Sequence, residues 1–579
     1  MKKRVACLLV LSMILSLSGC KSKTEETTKE TEVPTSTETS ATETEPSESE
    51  TETETTVSEE TSTTWETFET EPPYNGTALD VYPLLEEPSE PKGLENVSFK
   101  RNLKNLDIET SAVSDWYKEA GWDYSRMEMI CESPRIKTSG YEKLNDELDA
   151  IFAPLEEKAK TQYSEEKEIC LKQLAEKKGD YYERLKDWKD LLHIGVETKV
   201  LRADDYIVSF MTEETWREHS ELIKGYNYRS KDATPITFDD VVKDRAALCS
   251  YYLTVFDYDN LYDDFKESAD EILGQIMDGT VAFGLSYEGI CLPNCSEWSA
   301  PVHLSAMKHP EIFDLSYFGN TPKYYMILMQ EDTVFWDVTG DGQADVLSFD
   351  IEREEGGSWV ETISVTINGK KSADIDLKDT MVWYDDAYLA RTDTGMYLII
   401  NLSDEYNGVY IEVYKIKDDL TLEKVSSDSG FFTESISAEG NTYDPSDILI
   451  YDPSNGGPIG SSPYYNFYTM IGENGGFKAK DDLYRKTAYL VTQEEFSCTI
   501  IKKDGTVVKD FKVPVGTAVR EIGFSKKDLY AKLETLETDE SESYIISLPV
   551  QKCEERDYAW YNLEQPYHHG LFEGVTIYG

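Results

Sequence analysis

Histidine is scarce in this chain: six occur in 579 residues, at 193, 219, 303, 309, 568 and 569. Closed zinc sites need Cys/His ligands in closely spaced pairs. Cys291-Leu292-Pro293-Asn294-Cys295 is one such pair, with neither a second cysteine pair nor a histidine pair in register, so zinc is not expected. Positive charge is also short: 57 Lys and Arg stand against 112 Asp and Glu, a net charge of −55. A surface of that sign repels nucleic acid, anionic lipid and anionic wall polymers, and suits cations or basic proteins. Long apolar runs are missing as well. Val5–Leu17 is too short to span about 30 Å of hydrocarbon. No serine or cysteine lies in a nucleophile elbow or another recognisable catalytic context.

What is present begins at the N-terminus. Met1-Lys2-Lys3-Arg4 is basic, the apolar run follows, and Leu17-Ser18-Gly19-Cys20 ends it. A basic start, a short apolar core and small residues before the cut describe a secretory signal. The last four residues resemble a bacterial lipoprotein lipobox. The resemblance implies cleavage after residue 19 and lipidation of Cys20, which anchors the chain to the outer face of the bacterial cell membrane.

Residues 20–75 read as a stalk. Between 21 and 71 there are 16 Glu and 3 Lys, almost everything else being Thr, Ser or Pro. So polar a segment cannot bury enough apolar surface to offset its ordering entropy, and its like charges extend it. Residues 72–579 still carry −45 and are long enough for three or four domains. Of the seven cysteines after Cys20 at least one must lack an intrachain partner; Cys291 and Cys295 are close enough for a tight bridge, and buried free thiols are the default.

Residues 96–330 read as an α+β domain. Leu144, Leu148, Ile151, Phe152 and Leu155 fall on one helical face within Tyr141–Lys178, with Pro154 expected to kink or restart the helix and Gly179 to stop it. Strands are expected at Leu191–Leu201 and Tyr206–Met211, a helix start at Thr237, an amphipathic helix over Tyr262–Met277, and a hairpin around Glu288-Gly289. Ser133-Pro134-Arg135-Ile136, Thr234-Pro235-Ile236-Thr237-Phe238-Asp239-Asp240 and Val281–Ile290 carry a resemblance to an extracytoplasmic domain of unassigned biochemical role. That domain accompanies the catalytic unit of some peptidoglycan deacetylases and forms the lysozyme-sensing outer part of an anti-sigma factor. In this chain Gly225-Tyr226-Asn227-Tyr228 stands where a glycine- and histidine-containing segment is expected. Asp239-Asp240 is not a deacetylase metal motif, because no histidine pair at helical spacing follows it.

Asp337-Val338-Thr339-Gly340-Asp341-Gly342-Gln343-Ala344-Asp345 carries the clearest chemistry. Side-chain oxygens at positions 1, 3, 5 and 9 and the Gln343 carbonyl suit a hard cation, and Gly342 permits the sharp turn. Position 12 is Ser348 and not the Glu of an EF-hand, and the flanks Thr333–Trp336 and Val346–Ile351 are strand-like. The loop resembles the calcium-binding hairpin loops of integrin-type and related β-propeller repeats, which implies Asp337, Thr339, Asp341, Gln343 and Asp345 as calcium ligands. Met396–Asn401 and Val409–Ile416 read as a further hairpin around Asn407-Gly408. Together they define a β-repeat region over 331–470. Residues 475–579 read as short strands, with a hairpin at Lys503-Asp504-Gly505-Thr506, and resemble small SH3-like wall-associated barrels. His568-His569 reads as an exposed turn.

The expected architecture is therefore multidomain: a signal peptide (1–19), a stalk (20–75), an α+β domain (96–330), a β-repeat region with a calcium loop (331–470) and a small SH3-like β-barrel (475–579). The functional expectation is a lipid-anchored surface protein, not an enzyme, that binds a protein or glycan at the cell envelope and uses calcium structurally. Two alternatives are a sensor or inhibitor of a basic protein such as lysozyme, and a wall hydrolase or modifying enzyme with an unrecognised site.

Overall fold

Five strands build the first sheet in chain order: β1 (Ile108–Tyr117), β2 (Met127–Ile136), β3 (Leu192–Ala203), β4 (Ile207–Trp216) and β5 (His219–Arg229). The pairs are antiparallel except β2–β3, which run parallel with Met127 opposite Leu192. A parallel neighbour needs a long crossover. Helices α1 (Glu142–Glu176) and α2 (Asp180–Leu185) supply it. Helix α1 buries Leu144, Leu148, Phe152, Ala159, Tyr163 and Cys170 in the core it shares with Met129, Val196 and Phe210 of the sheet. It runs through Pro154 as one helix and ends where Lys177 turns left-handed (φ 53°), two residues before Gly179. Gly195 is required where β3 crosses Ile130, since an added Cβ would lie 1.7 Å from the Ile130 carbonyl oxygen.

The computed structural model describes residues 78–573, apart from 434–443 and shorter internal stretches. Leu17–Cys20 and the stalk lie outside the described residues. Tyr82–Gly579 is one compact unit. Among the described residues no helix is long and apolar enough to cross a membrane.

Beside the first sheet lie α3 (Phe238–Val241), α4 (Arg245–Val255) and α5 (Asp263–Asp278), with a small sheet of β6 (Gly284–Leu285), β7 (Gly289–Leu292) and β8 (Val302–Ser305). Thr237 starts α3 with a capping box: the Asp240 carboxylate accepts from the Thr237 backbone N–H at 2.8 Å. Cys131, Cys170, Cys249, Cys291, Cys295 and Cys498 are buried thiols, and half-buried Cys553 likewise forms no disulfide.

From here the chain is almost all antiparallel β. Strands β9 (Tyr324–Leu328), β10 (Val334–Trp336), β11 (Asp345–Arg353), β12 (Val360–Ile367) and β13 (Lys370–Asp376) come first. Then follow β14 (Val382–Thr392), β15 (Gly395–Asp404), β16 (Val409–Ile416) and β17 (Leu422–Ser429). β10 to β13 form a four-stranded sheet; β9 joins the next one, ordered β17-β16-β15-β14-β9. Strands β18 to β29, between Phe431 and Glu573, make a twelve-stranded sheet that curls into a half-barrel. It contains β22 (Leu483–Thr492) and the hairpin β23 (Phe496–Lys502)–β24 (Val507–Val513) around Asp504-Gly505. Its core is aliphatic and aromatic, built on Leu490, Val519, Phe524, Leu533, Ile546 and Leu548. The fold is thus multidomain, α+β first and antiparallel β afterwards.

Candidate functional site

The segment Asp337–Ala344 connects β10 to β11, with Trp336 opposite Asp345 at the mouth of the hairpin. Asp337 and Asp345 are buried, at 1% and 4% exposure, whereas Thr339, Asp341 and Gln343 are exposed. The two buried carboxylates organise the loop backbone. Asp337 Oδ1 accepts from Gly340 N at 2.6 Å and its Oδ2 from Gly342 N at 3.1 Å. Asp345 Oδ2 accepts from Thr339 N at 2.7 Å, while its Oδ1 accepts from the Asn368 side-chain amide at 2.6 Å. Asp341 accepts from Gln343 N at 2.8 Å in a local turn at the tip. Gly340 and Gly342 both have positive φ (88° and 90°), the region glycine enters without steric cost.

Arg101, from the stretch before β1, reaches this hairpin. Its guanidinium is 2.7 Å from Asp337 Oδ2 and donates to the Asp337 carbonyl oxygen at 2.8 Å. Burial pushes the Asp337 carboxyl above its usual range, and the Asp345 charge adds to this; Arg101 and the two glycine amides pull the other way. The mouth of the hairpin therefore holds two buried carboxylates beside one cation. Two of the five expected ligands come together, and Asp341 stays at the tip. Among the described residues no three His, Cys, Asp or Glu side chains converge closely enough to hold a metal. The loop as folded is closed by its own amides and Arg101, and a bound ion would have to draw Asp341 inward. Arg101 carries no sequence signal for this role, being separated from Asp337 by 236 positions.

The histidines are dispersed. His309 packs edge-on against Tyr251 at 4.4 Å and lies 3.5 Å from Glu311. His193 lies between Glu128 and Glu197. His303 meets Ser286. Cys295 is buried, and desolvation raises its thiol to about 11, which keeps it protonated and unreactive. His568 and the side chain of His569 lie outside the described residues, as does Cys20.

No protein-family profile matches the chain, and no curated protein matches it. Among the solved structures that align with it are two bacterial members of the DUF3298 family. A member from Bacteroides fragilis has 13% identity and a TM-score of 0.23, covering 37% of this chain and 98% of its own. One from Pseudomonas aeruginosa has 10% identity and a TM-score of 0.23, covering 37% of this chain and 97% of its own. At a TM-score of 0.23 neither lends its chemistry to this protein.

Proposed function

We propose that this is an extracytoplasmic protein, anchored by acylated Cys20, whose compact body is held off the membrane by an acidic stalk and binds a protein or glycan at the cell envelope. The observation that carries the reading is the run from Leu17-Ser18-Gly19-Cys20 through a strongly charged segment into a compact unit that starts at Tyr82. Such a spacer displays a body and gives it reach. Calcium serves this body structurally: it adds to the single Arg101 charge beside Asp337 and Asp345 and recruits Asp341. The excess of 112 acidic over 57 basic residues favours, as a second reading, a basic protein as the ligand, with the body acting as its sensor or inhibitor.

The test uses the full chain. Metabolic palmitate labelling should mark the wild type and not Cys20→Ser, which should appear in the culture medium. Pull-down on purified peptidoglycan and, separately, on lysozyme should then be run across a salt series. Retention at moderate salt identifies a specific ligand, whereas binding lost at that salt is charge attraction alone. Failure to label Cys20 overturns the anchor; failure to retain either ligand overturns the binding role.

A further inference from the structure

Three side chains with complementary chemistry meet at the β6–β7 hairpin. Ser286 follows the last residue of β6, Glu288 precedes β7, and His303 stands opposite Cys291 on the neighbouring β8. His303 Nε2 is 2.7 Å from Ser286 Oγ, and its Nδ1 is 3.6 Å from Glu288 Oε1. One ring nitrogen thus faces a hydroxyl and the other a carboxylate. A proton on Nδ1, held by the Glu288 charge, leaves the Nε2 lone pair for the serine O–H. The backbone N–H groups of Gly289 and Glu288 donate to the same Oγ at 3.0 and 3.3 Å, which favours negative charge there as the proton leaves. The Gly289 carbonyl oxygen, 3.2 Å from Oγ, is the competing acceptor for that proton. Ser286 and Glu288 are 4% and 8% exposed, and the His303 side chain is 18% exposed. The imidazole is therefore the open side of the cluster.

We propose that Ser286, His303 and Glu288 form an acyl-transfer site, with Ser286 as nucleophile, His303 as general base and Glu288 as the group that orients the ring. Oγ attacks the carbonyl carbon of an ester while its proton passes to His303 Nε2. The bond to the leaving alcohol breaks, and the alcohol takes that proton. Water then attacks the acyl-serine, gives a proton to Nε2, and releases the carboxylic acid as Ser286 recovers its proton from the imidazolium. The low exposure of Ser286 restricts the substrate class to esters of small acyl groups such as acetyl. The chain order Ser286-Glu288-His303 resembles no recognisable motif, which is why the sequence shows no catalytic serine. This activity goes beyond the binding role and does not rest on it.

The simpler role for Ser286 is to close the hairpin turn through the Gly289 N–H. The two roles separate experimentally. The full chain is treated with p-nitrophenyl acetate, p-nitrophenyl octanoate and a small alkyl fluorophosphonate, and adducts are located by peptide mass mapping. Expected are a stoichiometric p-nitrophenolate burst from the acetate ester, a much slower one from the octanoate ester, and a phosphonate adduct on Ser286. Ser286→Ala should abolish both the burst and the adduct, and His303→Gln should slow acylation on the order of 100-fold at an unchanged circular dichroism spectrum. Absence of an adduct on Ser286 of the folded wild type overturns the proposal. So does a burst that survives Ser286→Ala, or one that His303→Gln leaves at the wild-type rate. Where Ser286→Ala fails to fold, the wild-type adduct map decides alone.

Discussion

The indole of Trp116 stacks on the ring of Tyr489, with centroids 3.6 Å apart and planes 20° from parallel. Trp116 belongs to β1, the edge of the first sheet, and Tyr489 to β22 of the last. The Arg126 guanidinium lies 5.3 Å from the first ring and 5.1 Å from the second. Nearby, Gly121 N donates to Glu573 at 2.7 Å. The two ends of the body are thus joined by a desolvated aromatic pair under a cation.

Removing either ring should cost about 3 kcal/mol, because both are at least nine-tenths buried. Trp116→Ala, Tyr489→Ala and the double variant, compared by denaturant unfolding, should show a coupling of about 1 kcal/mol, the double variant losing that much less than the sum of the two single losses. Strictly additive losses would mean that the rings do not couple the two sheets.

His193 stands in the same row of the first sheet as Trp116, opposite Glu128. Its Nδ1 is 3.5 Å from Glu128 and its Nε2 is 3.4 Å from Glu197. Burial works to lower its pKa, but hydrogen bonds and charge from the two carboxylates outweigh it and raise the ring to about 10. The folded value lies above the unfolded one, so this stabilisation is complete below about pH 6.5 and disappears as pH rises towards 10. His193→Gln should therefore lose on the order of 2 kcal/mol at pH 6 and little above pH 10. An equal loss at both pH values would exclude a charge effect.

Arg202 and Asp204 form an ion pair at 2.6 Å with neither side chain exposed. Arg202 also donates to the Tyr317 carbonyl oxygen at 2.8 Å, and Asp204 Oδ1 accepts from the backbone of Tyr206 and Ile207. Arg202→Met strands a buried carboxylate and should cost about 3–5 kcal/mol. Arg202→Lys should not restore it, since an ammonium lacks the fork that serves both partners. Denaturant midpoints of the three chains check this; a fully stable Arg202→Lys would contradict it.

For the β10–β11 hairpin, calcium should raise the thermal midpoint of the wild type and leave Asp341→Ala unchanged. Arg101→Met removes the counter-charge beside Asp337, so it should lower the midpoint more in EDTA than in calcium. Midpoints indifferent to calcium in all three chains would sink the structural-calcium reading.

Much of the local structure was legible because it depends on near neighbours. The face Leu144–Leu148–Phe152, the capping residue Thr237 and the Asp504-Gly505 turn each specify their element within a few positions. Pro154 does not restart the helix, since a long helix packed along one face can absorb a missing donor. The parallel β2–β3 pairing was hidden, because it rests on Ile130 and Gly195 meeting across an intervening helix. The same reason hid Arg101 beside Asp337, and His303 against Ser286. The loop residues were visible as a pattern; the charge that faces them comes from far away in the chain.

Strand β9 pairs with β14, Leu328 lying opposite Ala387. A chain synthesised N-terminus first exposes Tyr324–Leu328 as an unpaired apolar edge until roughly 60 more residues have emerged. Its synthesis therefore has a vulnerable interval, in which an edge rich in tyrosine and aliphatic residues is free to pair with another chain. Slow elongation, or a stop placed between the two strands, should yield aggregates and not a shorter soluble body.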